Sequence, residues 1–149
     1  MTPEKFVATY LQAARDATAQ TGISAVFALA QAALESGWGA KAPGNNLFGI
    51  RADASWHGPV VDITTHEVVG GISQLQHGQG FRAYLNPVDS FVDWGRFLLG
   101  NPRYRPALIV KADPKLFARA VAKAGYSTDP HYGDTLCAMI DSINRRISA

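Results

Sequence analysis

The sequence predicts a mainly helical α+β domain with one β-hairpin, and three observations carry that expectation. Apolar residues repeat at helical spacing near both ends of the chain, a β-branched run at 60–69 breaks that period, and capping residues precede the helical runs. Thr2-Pro3 places a capping hydroxyl before a proline suited to a first helical turn. Phe6, Val7, Tyr10, Leu11 and Ala14 follow at helical spacing, and Gly22 is a stop. Ser24 caps a second helix with Val26, Leu29, Ala30, Ala33 and Leu34 as its buried stripe, ending near Gly37-Trp38-Gly39. Residues 40–58, rich in Gly, Pro, Asn and Asp, read as a loop around the apolar island Leu47-Phe48-Gly49-Ile50.

The period then changes. Residues 60–69 (VVDITTHEVV) favour a strand, and Gly70-Gly71 offers a hairpin turn. The return arm, about 72–84, carries Ile72, Leu75, Phe81 and Tyr84 but alternates poorly, and Gly78 and Gly80 point to a bulge or irregular pairing. Asn86-Pro87 opens a helix with Phe91, Trp94, Phe97 and Leu98, closed by Gly100. Asp113-Pro114 opens another with Phe117, Ala120 and Val121, closed by Gly125. Asp129-Pro130 opens the last, which holds Leu136, Met139, Ile140, Ile143 and Ile147. Each pair supplies an acceptor for orphan amides, then a residue that needs no amide partner. With no internal repeat, low-complexity run or linker, residues 1–149 read as one domain.

Composition bounds the function. A length of 149 residues with 47% hydrophobic content can bury a core without staples, and 17% charged residues with ample aromatics is wrong for a disordered chain. A formal charge of +2 gives no broad field for nucleic acid, and no apolar run approaches a membrane span. One cysteine excludes an internal disulfide framework and a Cys-rich zinc site. His57, His66, His77 and His131 show no helical ligand spacing, so neither a metal nor a cofactor is expected. Cys137 lies within the last helical run, away from any helix N-terminus that would activate a thiol, and reads as core. The N-terminal MTPEKFVATY lacks the basic-then-apolar order of a secretory signal.

Glu35 is the residue most out of place for stability. It ends an otherwise apolar helix, where a carboxylate meets the negative end of the helix dipole at a cost of about 0.3–1 kcal/mol. Leu34 and Trp38 are its sequence neighbours, and an apolar setting and the dipole both push its pKa upward. A carboxylic acid that stays protonated near neutral pH is what general acid catalysis on an ether oxygen needs. The plainer alternatives are a solvated Glu or a pair with Lys41. For a second carboxylate, alternation along 60–69 puts Glu67 on a face with Val61, Ile63, Thr65 and Val69. There it is either a catalytic base or a charge guarding an edge strand, with Asp62 in reserve. Among the aromatics, Trp38, Tyr126 and Tyr132 sit in Gly- or Pro-flanked segments suited to stacking on a sugar face.

Four stretches then resemble a known family. AQAALESGWG (30–39), NNLFGIRADASWHGPVVDITTHE (45–67), FRAYLNPVDSFVDWGRFLLGNPRY (81–104) and AGYSTDPHYGDTL (124–136) are similar, in collinear order, to the glucosaminidase family of peptidoglycan hydrolases, glycoside hydrolase family 73. The likeness is strongest to its flagellar members, although the loop between Trp38 and Asn45 is shorter than theirs. It implies a lysozyme-like fold, a helical body with a β-hairpin lobe across a sugar-binding cleft. It implies Glu35 as the acid, Glu67 of Thr64-Thr65-His66-Glu67 as the second carboxylate and Tyr126 as a catalytic or positioning residue. Trp38, Asn46, Phe48 and Tyr132 are then the expected substrate-binding residues.

The activity so implied is an endo-β-N-acetylglucosaminidase acting on peptidoglycan glycan strands as a monomer, with no nucleic acid partner and no membrane insertion. A lytic transglycosylase or muramidase on the same strand stays open, as does a non-cleaving wall-binding or structural tail domain. A thiol amidase using Cys137 is the weakest alternative. The expected place of action is the cell wall, in the periplasm or outside the cell. Release or injection by another route, or membership of a larger protein, is expected in place of a signal peptide.

Overall fold

Thr2 begins the first helix by the mechanism its sequence suggests: in extended conformation, its hydroxyl accepts from Lys5 N at 3.1 Å. The computed structural model describes residues 1–69 and 72–148, with side chains for all of these except 63–69 and 72–79. The predicted Gly70-Gly71 turn lies outside the described residues. Helix α1 spans Pro3–Thr21 and stops at Gly22, whose left-handed φ of 72° lets its N–H close on Thr18 O. Helix α2, Ala25–Ser36, is capped by Ser24 Oγ accepting from Phe27 N at 3.2 Å. Of its predicted stripe, Leu29, Ala30 and Ala33 are fully buried, whereas Val26 and Leu34 lie half-buried at the edges. Burial also takes in Phe27, Ala28, Gln31 and Ala32. A helix apolar on nearly every side belongs inside, and α2 packs against α1, α4 and α5.

The later helices begin at their Asn or Asp caps with one exception. Asn86 Oδ1 accepts from Asp89 N at the start of α3, Pro87–Gly100, and Asp113 Oδ1 accepts from Leu116 N at the start of α4, Pro114–Lys123. Helix α5, Tyr132–Ser148, starts two residues later than Asp129-Pro130 suggests. The Asp129 carboxylate accepts from His131 N at 2.8 Å and its carbonyl from Tyr132 N at 3.1 Å, so 129–132 closes as a tight turn first. This turn delivers Tyr132, buried, as the first helical residue. Residues 102–110 form a 3₁₀ helix, Pro102–Val110, that the pattern does not predict: Pro106 sits inside it and its apolar residues keep no 3.6-residue period.

Strands β1, Val60–Val69, and β2, Ile72–Arg82, pair antiparallel from Val60↔Arg82 to Val69↔Ile72. The register shifts between Ile63, opposite Gln79, and Thr65, opposite Gln76. Two residues of β2, His77 and Gly78, therefore face Thr64 alone, a bulge at one of the glycines singled out above. Strand β2 ends at Arg82, before the predicted 84, because Ala83 N turns to Pro59 O and Tyr84 N to Gly44 O. The hairpin's base is sewn to the preceding loop by an Arg51↔Phe81 bridge and by Arg82 N donating to Ile50 O.

The helical core joins these parts. Phe27 packs against Phe117 at 4.7 Å and Trp94 at 5.7 Å, and Trp94 lies flat on Phe48 at 4.5 Å with an 8° interplanar angle. Phe48 carries the loop before the hairpin onto that core. Cys137 is buried in α5.

Candidate active site

Glu35 owes its position to a turn that only this local sequence makes easily. After α2, Gly37, Trp38 and Gly39 have φ values of 58°, 56° and 84°. Left-handed backbone disfavours a Cβ, so glycine on both sides leaves Trp38 alone to bear it. Ser36 Oγ accepts from Gly39 N at 2.9 Å and donates to Ala32 O, while Trp38 N donates to Ala33 O at 2.8 Å. The Trp38 ring packs edge-on against Phe6 at 5.5 Å with the Arg146 guanidinium 5.8 Å from its centre. Helix α2 thus stops one residue after Glu35, which is exposed at the helix end.

Around that carboxylate the fold assembles an amide and two phenols. Gln31, one turn earlier on α2 and fully buried, donates from Nε2 to Glu35 Oε1 at 3.1 Å and also to the Tyr132 hydroxyl in a short bond. The Tyr132 ring stacks on Tyr126 at 5.5 Å and 17°. The Tyr126 hydroxyl accepts from Trp94 Nε1 at 3.4 Å. Residues from α2, α3, α5 and the loop before α5 thus meet in one polar chain set in aromatic surroundings.

The electrostatics follow from this setting. Although exposed along one side, Glu35 loses enough solvent to its neighbours that its pKa is raised, against the opposing hydrogen bonds from Gln31 and Tyr132. The direction agrees with the sequence argument, but the apolar surroundings differ. Leu34 packs on the core and Trp38 on Phe6, while Tyr126 and Tyr132 are the aromatic residues that interact with the carboxyl. Among the described residues the ion pairs do not include Glu35, and Lys41 is not its partner. Burial pushes Tyr126 up to about 12 and Tyr132 higher still. Both therefore remain neutral hydroxyls at ordinary pH, able to donate a hydrogen bond and unable to act as a ready base.

Two cavities share Gly49 in their walls. The larger, about 510 Å³, lies between the 41–49 loop and the hairpin base, lined by Lys41, Pro43, Asn46, Val61, Asp62 and Phe81. The smaller, about 330 Å³, is bordered by Arg51, Arg82, Phe97 and Tyr126. Tyr126, which borders this second cavity, ties it to the Glu35 network.

Of the residues named from sequence, Glu35, Tyr126 and Tyr132 come together. Trp38, from its glycine-flanked setting, and Asn46 and Phe48, from the resemblance, are the other expected substrate-binding residues, and the structure engages all three in its own framework. Trp38 is held by Phe6 and Arg146, as above. Asn46, buried, donates to Ile50 O and Arg82 O and accepts from Phe48 N and Ile50 N, which exhausts its amide. Phe48 is buried between Trp94 and Phe91. Asn46 and Phe48 each border a cavity, so they shape its wall from within. Glu67 sits on β1 opposite Gln74, and its side chain lies outside the described residues. Gln31 and Trp94 are the site residues that sequence reasoning missed. The signal for Gln31 was there, a lone amide on an apolar helix one turn before the suspect Glu.

Known proteins share this arrangement of chain. The peptidoglycan hydrolase FlgJ of Vibrio parahaemolyticus is 43% identical over 138 residues, covering 89% of this chain and 44% of that protein. This chain therefore spans less than half the length of that relative. The glycoside hydrolase domain of Salmonella typhimurium FlgJ, C-terminally truncated, superposes with a TM-score of 0.84 at 38% identity, covering 95% of this chain and 97% of that one. The catalytic domain of the autolysin Auto from Listeria monocytogenes superposes with a TM-score of 0.78 at 27% identity, covering 100% and 90%. The architecture is thus the lysozyme-like one of glycoside hydrolase domains. With residues 11–145 matching the family model described as mannosyl-glycoprotein endo-β-N-acetylglucosaminidase, the chain belongs to the Glucosaminidase family.

Proposed function

We propose that this chain is a peptidoglycan hydrolase, an endo-β-N-acetylglucosaminidase that cleaves the β-1,4 bond between N-acetylglucosamine and N-acetylmuramic acid in glycan strands of the cell wall. The observation that carries this reading is the setting of Glu35. It is an exposed carboxyl at a helix end with a raised pKa, held by an amide and a phenol beside a cavity bordered by Tyr126. Protonated Glu35 donates to the glycosidic oxygen as the bond from C1 to that oxygen breaks. Water adds to C1, and the proton it loses goes to a base. If Glu67 is that base, the two carboxyl groups stand roughly 6.5–9.5 Å apart and configuration inverts. If instead the substrate's own acetamide oxygen attacks C1, Glu35 takes the water's proton back when the ring intermediate opens. Tyr126, a neutral donor, then holds the acetamide.

Because the acid must be protonated, turnover falls as pH rises through the pKa of Glu35. Glu35→Gln keeps the Gln31 contact and the helix but has no proton to give. It is expected to lower lysis of purified peptidoglycan by about 10²–10⁴-fold with the fold intact by circular dichroism. Wild-type lysis by folded Glu35→Gln would remove the acid from this residue. Glu67→Gln disables a two-carboxylate hydrolase and spares both the acetamide route and a transglycosylase using Glu35 alone, and the reducing or anhydro ends of the products separate those two.

A further inference from the structure

Gln31 is an unusual residue to bury. Its neighbours along α2, Ala28, Leu29, Ala30, Ala32 and Ala33, are apolar, and Gln31 itself is as inaccessible as they are. Its two N–H groups have partners, Glu35 Oε1 and the Tyr132 hydroxyl, whereas its carbonyl oxygen is buried with no hydrogen-bond partner among the described residues. A buried amide with an orphan acceptor is unfavourable for folding alone, and an apolar side chain of the same length would fill the space without it. What keeps an amide here is its donor pair.

We propose that Gln31 is the positioning residue of this site: one amide, donating from both N–H groups, fixes the Glu35 carboxyl and the Tyr132 hydroxyl in a common register at the cleft. The spacing explains the choice. Residues i and i+4 share a helix face, so a side chain one turn before Glu35 reaches its carboxylate without distorting α2. Asn is too short for this and Glu would repel. The second N–H reaches a residue 101 positions away in sequence, which makes the contact a bridge between α2 and α5. Tyr132 carries the stacked Tyr126 with it, so the amide sets where three reactive-face groups stand relative to one another.

The bridge also acts on the proton. The amide stabilises the carboxylate that remains after Glu35 has given its proton away, and it opposes the desolvation that favours the acid form. Among the described residues the titratable groups acting on Glu35 are Tyr132 at the start of α5 and Tyr126 in the loop before it, both neutral. Helices α1 and α4, which also pack on α2, bring none. Losing the amide therefore raises the pKa of Glu35, and the alkaline limb of the activity profile moves to higher pH.

This inference rests on Glu35 as the acid, and two experiments keep the two claims apart. In the wild-type chain, the ¹H–¹⁵N side-chain signals of Gln31 should shift with pH along the ¹³C carboxyl titration of Glu35, and should lose that response in Glu35→Gln. Signals that stay fixed through the Glu35 titration overturn the proposal, whatever the activity. In Gln31→Met, which removes donors and orphan alike, Tm should hold or rise. Activity at the optimum should fall about tenfold as the groups lose register, and the alkaline limb should move to higher pH. A Gln31→Met profile superimposable on the wild type, in shape and height, equally overturns it. If the Gln31 signals follow Glu35 but Glu35→Gln still lyses the wall, the positioning contact stands and the identity of the acid fails.

Discussion

Asn46 shows what one side chain can settle. Its amide oxygen serves Phe48 N and Ile50 N, and its nitrogen serves Ile50 O and Arg82 O, so it ties the loop before the hairpin to the end of β2. Asn46→Asp sets a carboxylate oxygen against two carbonyl oxygens and should cost on the order of 2–4 kcal/mol, read as a lower denaturation midpoint. An unchanged midpoint would mean that the loop has another anchor. At this scale the sequence was informative about chemistry and silent about partners. Glu35 was legible because a carboxylate at the end of an apolar helix breaks the pattern around it. That Asn46 serves backbone groups was not, because Arg82 O is 36 residues away. For Gln31 the spacing to Glu35 was readable, one turn away on the same helix, and only its second partner, Tyr132 on another helix, was not.

At the level of elements, the caps were the most legible features. Thr2, Ser24, Asn86 and Asp113 each accept the amide that their position requires, and the helices start where those residues say. The late start of α5 and the 3₁₀ helix at Pro102–Val110 were not legible, because both are tight turns closed by backbone and Asx contacts without an apolar period. The base of the hairpin depends on Arg82. It donates to Asp93 at 2.9 Å, to Asp53 at 3.3 Å and to Arg51 O, while its guanidinium lies 4.9 Å from the Trp56 ring centre. Tyr84 donates to the same Asp93 oxygen, and burial together with that carboxylate raises its pKa. Arg82→Met leaves the half-buried Asp93 without its cation and should destabilise by about 1–3 kcal/mol in chemical denaturation. Asp53→Ala, which removes the exposed end of the network, should lower the denaturation midpoint far less than Arg82→Met does. Equal losses would show that the ranking by burial is wrong.

Across the whole molecule, the helical body does two jobs with one set of contacts. The packing that buries Phe27, Trp94 and Phe48 also brings the end of α2 against the start of α5, and so sets Glu35 beside Tyr132 and Tyr126. Fold class was predictable from periodicity alone, since helical spacing and one β-branched run leave few alternatives. Periodicity did not show the cavity beside the site, because Gly49, Arg82 and Tyr126 in its wall are distant in sequence, and even Tyr126, singled out as an aromatic, carried no sign of what it stands beside. The central claim is that this arrangement hydrolyses the glycan at N-acetylglucosamine. It is tested most directly by mass spectrometry of borohydride-reduced fragments after digestion of purified peptidoglycan, with Glu35→Gln as the control. The account predicts reduced N-acetylglucosamine ends from the wild type and none from the variant; anhydro-muramyl ends, reduced muramic acid ends, or no new ends from the wild type would contradict it.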